Sequence, residues 1–230
     1  MNTLPFPAKL TPENNHLTLP KFPSFCTGLI NRLADRFWEK RLGIDTQGRR
    51  QIAYRDAHRY ESVPYHVCFK IFDWLEAGPA DVIVDVGSGK GRVLCTAALR
   101  PIRKAIGIEI DPELHAIAEA NVRQIRLRRA PIHLFCQSAT EYDFEGVTIV
   151  CFFNPFGGET MRRVLANLQK SIEADPREVR IVYLNATCAH LLIDQPWIEL
   201  EEQWKMTTWS RVKSPVHFYR TKPMALKSRA

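Results

Sequence analysis

An aspartate and three alternating glycines separate an apolar run from a helical pattern in VIVDVGSGKGRVL, residues 82 to 94. Glycine has no Cβ, so a loop built from Gly87, Gly89 and Gly91 lets the backbone close on a ligand. Asp85, at the end of the run, can organise a cationic or hydrogen-bonding group. Two ligand chemistries fail on spacing. A phosphate loop needs G-x-x-x-x-G-K-[ST], but here Lys90 is followed by Gly91. A dinucleotide fingerprint needs its third glycine at position 92, where Arg92 stands. What remains is D-x-G-x-G-x-G. Two further positions have chemical potential. Glu109 closes the apolar run of AIGIEIDPEL 18 residues after Gly91, and Asn154-Pro155-Phe156 ends the run TIVCFFNPFGG, residues 148 to 158. There a planar amide and a prolyl carbonyl can align an incoming N–H group.

The elements that position these residues follow from periodicity. From Asp81 onward, short apolar runs alternate with amphipathic segments. Strands are expected at 82–86, 105–110, 132–136, 148–153 and 179–185, with helices near 91–99, 112–127 and 159–173. Apolar runs without strict alternation suit a parallel sheet buried on both faces. After Pro196, WIELEEQWKM and VHFYRT read as two more strands at an antiparallel edge. The fold class expected is therefore α/β, Rossmann-like and doubly wound. Its seven-stranded, mostly parallel sheet would carry an antiparallel C-terminal edge strand and follow N-terminal helices. Upstream, Phe25, Leu29, Leu33 and Phe37 recur at helical spacing after Ser24, which predicts an amphipathic helix with an apolar inner face and ending near Gly43. A second helix is expected from Tyr65 to Glu76, stopped by Gly78-Pro79. Five prolines before residue 24 make an extended arm. The division is an arm (1–24), a helical segment (25–78), a catalytic domain (79–222) and a tail (223–230).

Composition narrows the class. The 230 residues, 45% hydrophobic with 12 Phe and 5 Trp, can bury one sizeable core, which excludes a disordered or fibrous chain. With no apolar run of membrane-spanning length and no basic n-region before an apolar stretch, a soluble, cytoplasmic protein is expected. The six cysteines lie far apart without a C-x-x-C pair, so they read as reduced, buried thiols, and no metal is expected. A formal charge of +7 is spread over basic ends, with 10 Lys/Arg against 12 Asp/Glu in residues 61–150, and reads as a solubility feature.

The glycine arrangement resembles motif I of the class I S-adenosylmethionine-dependent methyltransferases, and the order of elements extends that resemblance over roughly residues 60 to 220. It implies S-adenosyl-L-methionine as cofactor, held by Asp85, Gly87, Ser88, Gly89, Gly91, Glu109 and Ile110, with Glu109 accepting both ribose hydroxyls. CQSATEYDF is similar to the third-strand motif, but Ser138 stands where an acid commonly faces the adenine; Ser138 or the Ala139 backbone would make that contact. Asn154, Pro155 and Phe156 resemble the N-P-P-[FY] tetrapeptide of amino-directed methyltransferases, without its second proline. The loop also resembles the asparagine loop of seven-strand histone-lysine methyltransferases, whose final hairpin MTTWSRVKSPVHFYRT is similar to as well. In layout, including LGIDTQG and RYESVPYH, the chain is similar to a bacterial family of class I methyltransferases.

The resemblance implies methyl transfer to nitrogen, with a protein side chain expected as acceptor and partner. A nucleic-acid amino group is the alternative, and a non-catalytic cofactor-binding scaffold is a further one. Several residues carry plainer readings. Lys90 and Arg92 are expected to be solvated at the first helical turn, against the helix dipole. Arg32, Arg36, Lys40 and Arg41, interleaved with Asp35 and Glu39, are expected to form a solvated face. Tyr60, Tyr65 and His66 either fold over the cofactor or pack in the core. His190 and Asp194 belong on a short surface helix.

Overall fold

A computed structural model describes residues 24–54, 56–205 and 215–222. The Pro-rich arm up to residue 23, the tail 223–230 and the MTTWSRVKS stretch lie outside the described residues. The chain opens with α1 (Ser24–Leu42), two short strands β1 (Arg49–Arg50) and β2 (Tyr60–Glu61) that pair antiparallel, and α2 (Tyr65–Trp74). Then comes the alternating unit: β3 (Val82–Val86), α3 (Arg92–Ala97), β4 (Lys104–Glu109), α4 (Pro112–Gln124), β5 (Ile132–Cys136), β6 (Ile149–Phe153), α5 (Gly158–Ala174) and β7 (Arg180–Leu184). The short α6 (Ala189–Ile193), β8 (Ile198–Trp204) and β9 (Val216–Thr221) complete it.

The seven-stranded sheet has the order β5-β4-β3-β6-β7-β9-β8. Its first five strands are parallel, and β9 runs antiparallel to both of its neighbours. The antiparallel edge is thus a pair, with the C-terminal strand inserted inside β8. Strand order reverses between β3 and β6, the switch point where a doubly wound sheet leaves a crevice at its carboxyl ends. β3 is buried at all five positions, as an uninterrupted apolar run in a central strand requires. One core cluster packs β3, β6 and β7 against α5 and the other packs them against α2 and α3, so the sheet is covered on both faces.

Two expectations about burial fail. β5 is the edge strand, and its alternate positions His133 and Phe135, together with Cys136, are exposed. Of the cysteines whose side chains are described, Cys68, Cys95, Cys151 and Cys188 are buried free thiols, while Cys136 is an exposed one. The larger correction concerns α1. Leu29, Leu33 and Phe37, read as its inner face, are 49%, 56% and 59% exposed. The helix instead turns Asp35, Trp38, Glu39 and Leu42 toward the protein, because a buried cation waits there. The guanidinium of Arg92 bonds to Asp35 Oδ2 at 3.1 Å and Glu39 Oε1 at 3.0 Å, donates to Thr46 Oγ1 and the Val63 carbonyl, and lies 4.5 Å from the Tyr65 ring centroid. Arg92 is therefore not solvated, and the two acids of α1 are its counter-ions rather than surface decoration. Lys90 is also held, its Nζ donating to the Gln47 carbonyl at 2.6 Å. As expected, His190 and Asp194 are exposed at a short helix, and Tyr65 is core. No helix among the described residues is long and apolar enough to cross a membrane.

Candidate active site

At the carboxyl ends of β3, β4 and β6 opens a cavity of about 290 Å³. Asp85, Gly87, Ser88, Glu109, Ile110, Ser138, Ala139, Asn154, Pro155 and Phe156 all line it, so residues 70 apart in sequence meet at one crevice. Gly89 and Gly91 do not. A Cβ on Gly89 would stand 2.3 Å from the Tyr60 ring, and one on Gly91 3.6 Å from Ala118. These glycines let the loop pack under Tyr60 and against α4. Gly87, Gly89 and Gly91 all have positive φ (79°, 53° and 85°), which explains why these three positions of the turn are glycine.

Two carboxylates dominate the cavity's electrostatics. Glu109 Oε2 accepts from the Gly89 N–H at 2.7 Å and Oε1 from the Asp111 N–H at 2.8 Å, so it ties the glycine loop to the start of α4. Burial raises its pKa, partly offset by those N–H donors and that of Ile110. Asp85 is 3% exposed, and no hydrogen bond from the described residues reaches its carboxylate. Burial first, and the neighbouring Glu109 charge second, push its pKa up to about 8. A buried carboxylate without a donor beside a second acid is a costly arrangement that a cationic ligand relieves. The ammonium and sulfonium charges of S-adenosylmethionine fit that need, and the Glu109 oxygens fit its ribose. Ser138 accepts from the Thr140 N–H at 3.3 Å and opens a short 3₁₀ turn, Ala139–Glu141, in the cavity wall.

The other wall comes from a segment that sequence reasoning did not single out. Residues 56–58 lie across the β6–α5 loop. The His58 N–H donates to the Pro155 carbonyl at 3.0 Å, His58 Nδ1 lies 3.0 Å from the Asn154 carbonyl, and Ala57 bridges to Phe156. Asp56 caps α5 from afar: its carbonyl accepts from Gly157 N–H at 2.8 Å and its Oδ2 from Thr160 N–H at 3.0 Å. A Cβ at Gly157 would stand 2.0 Å from Asp56 Oδ1, so the glycine is the space this cap needs. The paired glycines after Phe156 were the only sequence signal for it. Asn154 adopts φ 42° and its Oδ1 accepts from the Thr187 hydroxyl at 2.5 Å. Tyr60, expected over the cofactor or in the core, lines the cavity roof and donates to the Thr46 carbonyl at 2.6 Å.

This cradle at the switch point of the sheet is similar to that of the class I, S-adenosylmethionine-dependent methyltransferases. Residues 83–175 match a family model described as a methyltransferase domain. The fold is similar to an RNA methyltransferase from Salinibacter ruber in complex with S-adenosyl-L-homocysteine (TM-score 0.51, 17% identity, 74% of this chain and 99% of that one). It is also similar to TrmN from Thermus thermophilus (TM-score 0.52, 16% identity, 69% of this chain and 48% of that one). A histone-lysine N-methyltransferase of Caenorhabditis elegans, H3 lysine-79 specific, is 50% identical over 42 residues. That match covers 18% of this chain and 4% of that protein.

Proposed function

We propose that this methyltransferase modifies a nitrogen of RNA, with Asn154, Pro155 and Phe156 on the acceptor side and Asp85, Glu109 and the loop around Gly87 on the cofactor side. The observation that carries the reading is the shared cavity, which the unpartnered Asp85 and Asn154 both line. When bound, S-adenosylmethionine supplies an electrophilic methyl on a sulfonium. The chain's task is then alignment and charge placement rather than covalent chemistry. Asp85 neutralises the ligand's positive charge, Glu109 accepts from its hydroxyls, and Ser138 and Ala139 bound its base. The Asn154 amide faces a planar, N–H-bearing acceptor while Phe153 and Phe156 give it flat apolar walls. A nucleobase fits this combination. Besides the two cofactor-side carboxylates, the charged lining residues Asp56, Glu61 and Glu159 stand against Arg59, Arg92 and Arg163, so they add no net negative charge to trap a lysine ammonium. RNA is also the acceptor named for the Salinibacter ruber protein that shares this fold. In the same reading residues 79–222 form the catalytic unit and 25–78 its roof.

The experiment is transfer of labelled methyl from S-adenosylmethionine into total RNA and into total protein, using the wild type and Asn154→Gly. Label in RNA from the wild type alone is expected. Label confined to protein would replace the RNA acceptor with a side-chain amine.

A further inference from the structure

β4 begins at Lys104 and ends at Glu109. Asp85, Glu109, Asp111 and Glu113 gather at the carboxyl ends of the strands. Apart from Lys90 and Arg92, which are held after β3 by Gln47 and by the acids of α1, the cations of the same region gather at the amino ends, where Asp81 is paired with Arg180. Three backbone contacts assemble them. Arg126 N–H donates to the Leu42 carbonyl at 2.8 Å, bringing the loop after α4 to the C-terminus of α1 with Lys40 and Arg41. Arg129 N–H donates to the Ala98 carbonyl at 2.7 Å, and Ala105 N–H to the Pro131 carbonyl at 2.9 Å, which sets Arg103 and Lys104 beside the same loop.

Lys40, Arg41, Arg103, Arg126, Arg128 and Arg129 are exposed, and none of them takes part in an ion pair among the described residues. Other exposed arginines are matched, Arg49 with Glu61, Arg123 with Glu119 and Arg220 with Glu199, and those that are not, Arg36, Arg162 and Arg163, do not belong to the α4–β5 loop or the last turn of α1. Unmatched like charges in one place repel one another and raise the local concentration of polyanions.

We propose that this face, formed by the α4–β5 loop and the C-terminus of α1, binds the backbone phosphates of RNA; the assignment rests on the RNA-acceptor reading. Five residue steps along β4, at about 3.3 Å each, put roughly 17 Å between the basic end and the cofactor end. A mononucleotide cannot bridge that distance, whereas a folded RNA anchored by its phosphates can present a nucleotide to the cavity. The outward face of β5 lies between the two ends, and Phe135, 40% exposed, offers a ring on which a base can stack. The substrate is therefore a structured RNA rather than a free nucleoside or nucleotide.

The test compares the full chain with Arg126→Gln/Arg128→Gln/Arg129→Gln, none of which lines the cofactor cavity. Binding of a fluorescent stem-loop RNA is followed by anisotropy over a salt series. Each lost phosphate contact removes about 0.7 to 0.9 from the slope of log affinity against log salt, so the triple variant should lose roughly 2 to 3 in slope. At fixed low salt it should bind about tenfold or more weakly. Titration with S-adenosylhomocysteine should be unchanged, which shows that the variant is folded, and Lys170→Gln/Lys205→Gln should bind RNA like the wild type. Equal affinity and slope in the triple variant overturn the proposal. So does binding of phosphatidylglycerol vesicles in place of RNA, lost in the triple variant, which would give the face to an anionic lipid surface. If methyl label appears only in protein while the triple variant still loses RNA binding, the acceptor reading fails and the basic face stands. If both proteins label RNA equally with equal binding, the face fails and the acceptor reading stands.

Discussion

Replacing Asp85 with asparagine should separate its cost to the fold from its use to the cofactor. The carboxylate is buried beside Glu109, with its pKa raised from an ordinary 3.8 to about 8. A raised carboxylate pKa means that the folded state holds a proton which the unfolded chain has released. Stability therefore falls as pH rises from about 4 to about 8, and the deficit is complete above the folded pKa. About three pH units separate the ordinary value from neutrality, each worth about 1.4 kcal/mol, so the penalty at pH 7 is on the order of 4 kcal/mol. Asp85→Asn keeps the shape and removes the charge. The variant should be more stable than the wild type at pH 7, with a difference that grows from pH 5 to pH 8 and vanishes near pH 4. Denaturant unfolding across that range measures it. Cofactor binding should move the other way: losing a charged hydrogen-bond partner costs about 1.5 to 3 kcal/mol, roughly tenfold to 150-fold in affinity for S-adenosylmethionine. In the wild type, binding near pH 7 should release a proton from Asp85, visible as a buffer-dependent calorimetric enthalpy. A variant that is less stable at every pH and binds S-adenosylmethionine normally would show that Asp85 is a structural group whose partner has been misidentified.

Glu109→Gln should weaken S-adenosylmethionine binding by about 1.5 to 3 kcal/mol in a calorimetric titration, with part of the loss arising from the loosened Gly89 and Asp111 contacts. Asn154→Gly should leave the melting temperature within a degree or two, because glycine accepts the φ of 42°, while turnover falls by a large factor. Alanine would be a poorer probe there, since it keeps a Cβ at positive φ without the polar side chain that lets asparagine tolerate that conformation. Arg92→Met should destabilise the fold by about 3 to 5 kcal/mol in urea unfolding by leaving Asp35 and Glu39 facing one another without a counter-ion. Adding Asp35→Asn and Glu39→Gln should restore part of that stability.

What was legible in the sequence was local. β3 and β5 fall where their apolar runs place them, and the glycine loop, Glu109 and Asn154 meet in one cavity because each ends a parallel strand. What was not legible depended on distant partners. The stripe of Leu29, Leu33 and Phe37 has helical spacing, so it read as an inner face. The helix's orientation is set instead by a cation 57 residues after Asp35. One hint was present: an arginine in the first turn of a helix, opposed by the dipole, calls for acids from elsewhere. Cys136 and Phe135 read as core because a run of apolar residues does not reveal whether a strand is central or at an edge. The roof of the site was invisible for the same reason. Asp56 and His58 sit in a polar stretch without periodicity, and their partners lie about 100 residues on.

That last separation has a consequence for how the protein comes into being. During synthesis the segment around Asp56 leaves the ribosome well before Thr160, the residue whose N–H it caps, so it must wait without its partner while the sheet is built. Closing a loop of about 100 residues costs several kcal/mol of chain entropy, which the cap, the His58 contacts and the Ala57–Phe156 bridge recover only once β6 and the start of α5 are in place. The cavity wall built on the β6–α5 loop is then among the last parts to form and among the first to open. Amides of the β6–α5 loop should exchange with solvent well before those of β3, and a nascent chain should bind cofactor only after α5 has emerged.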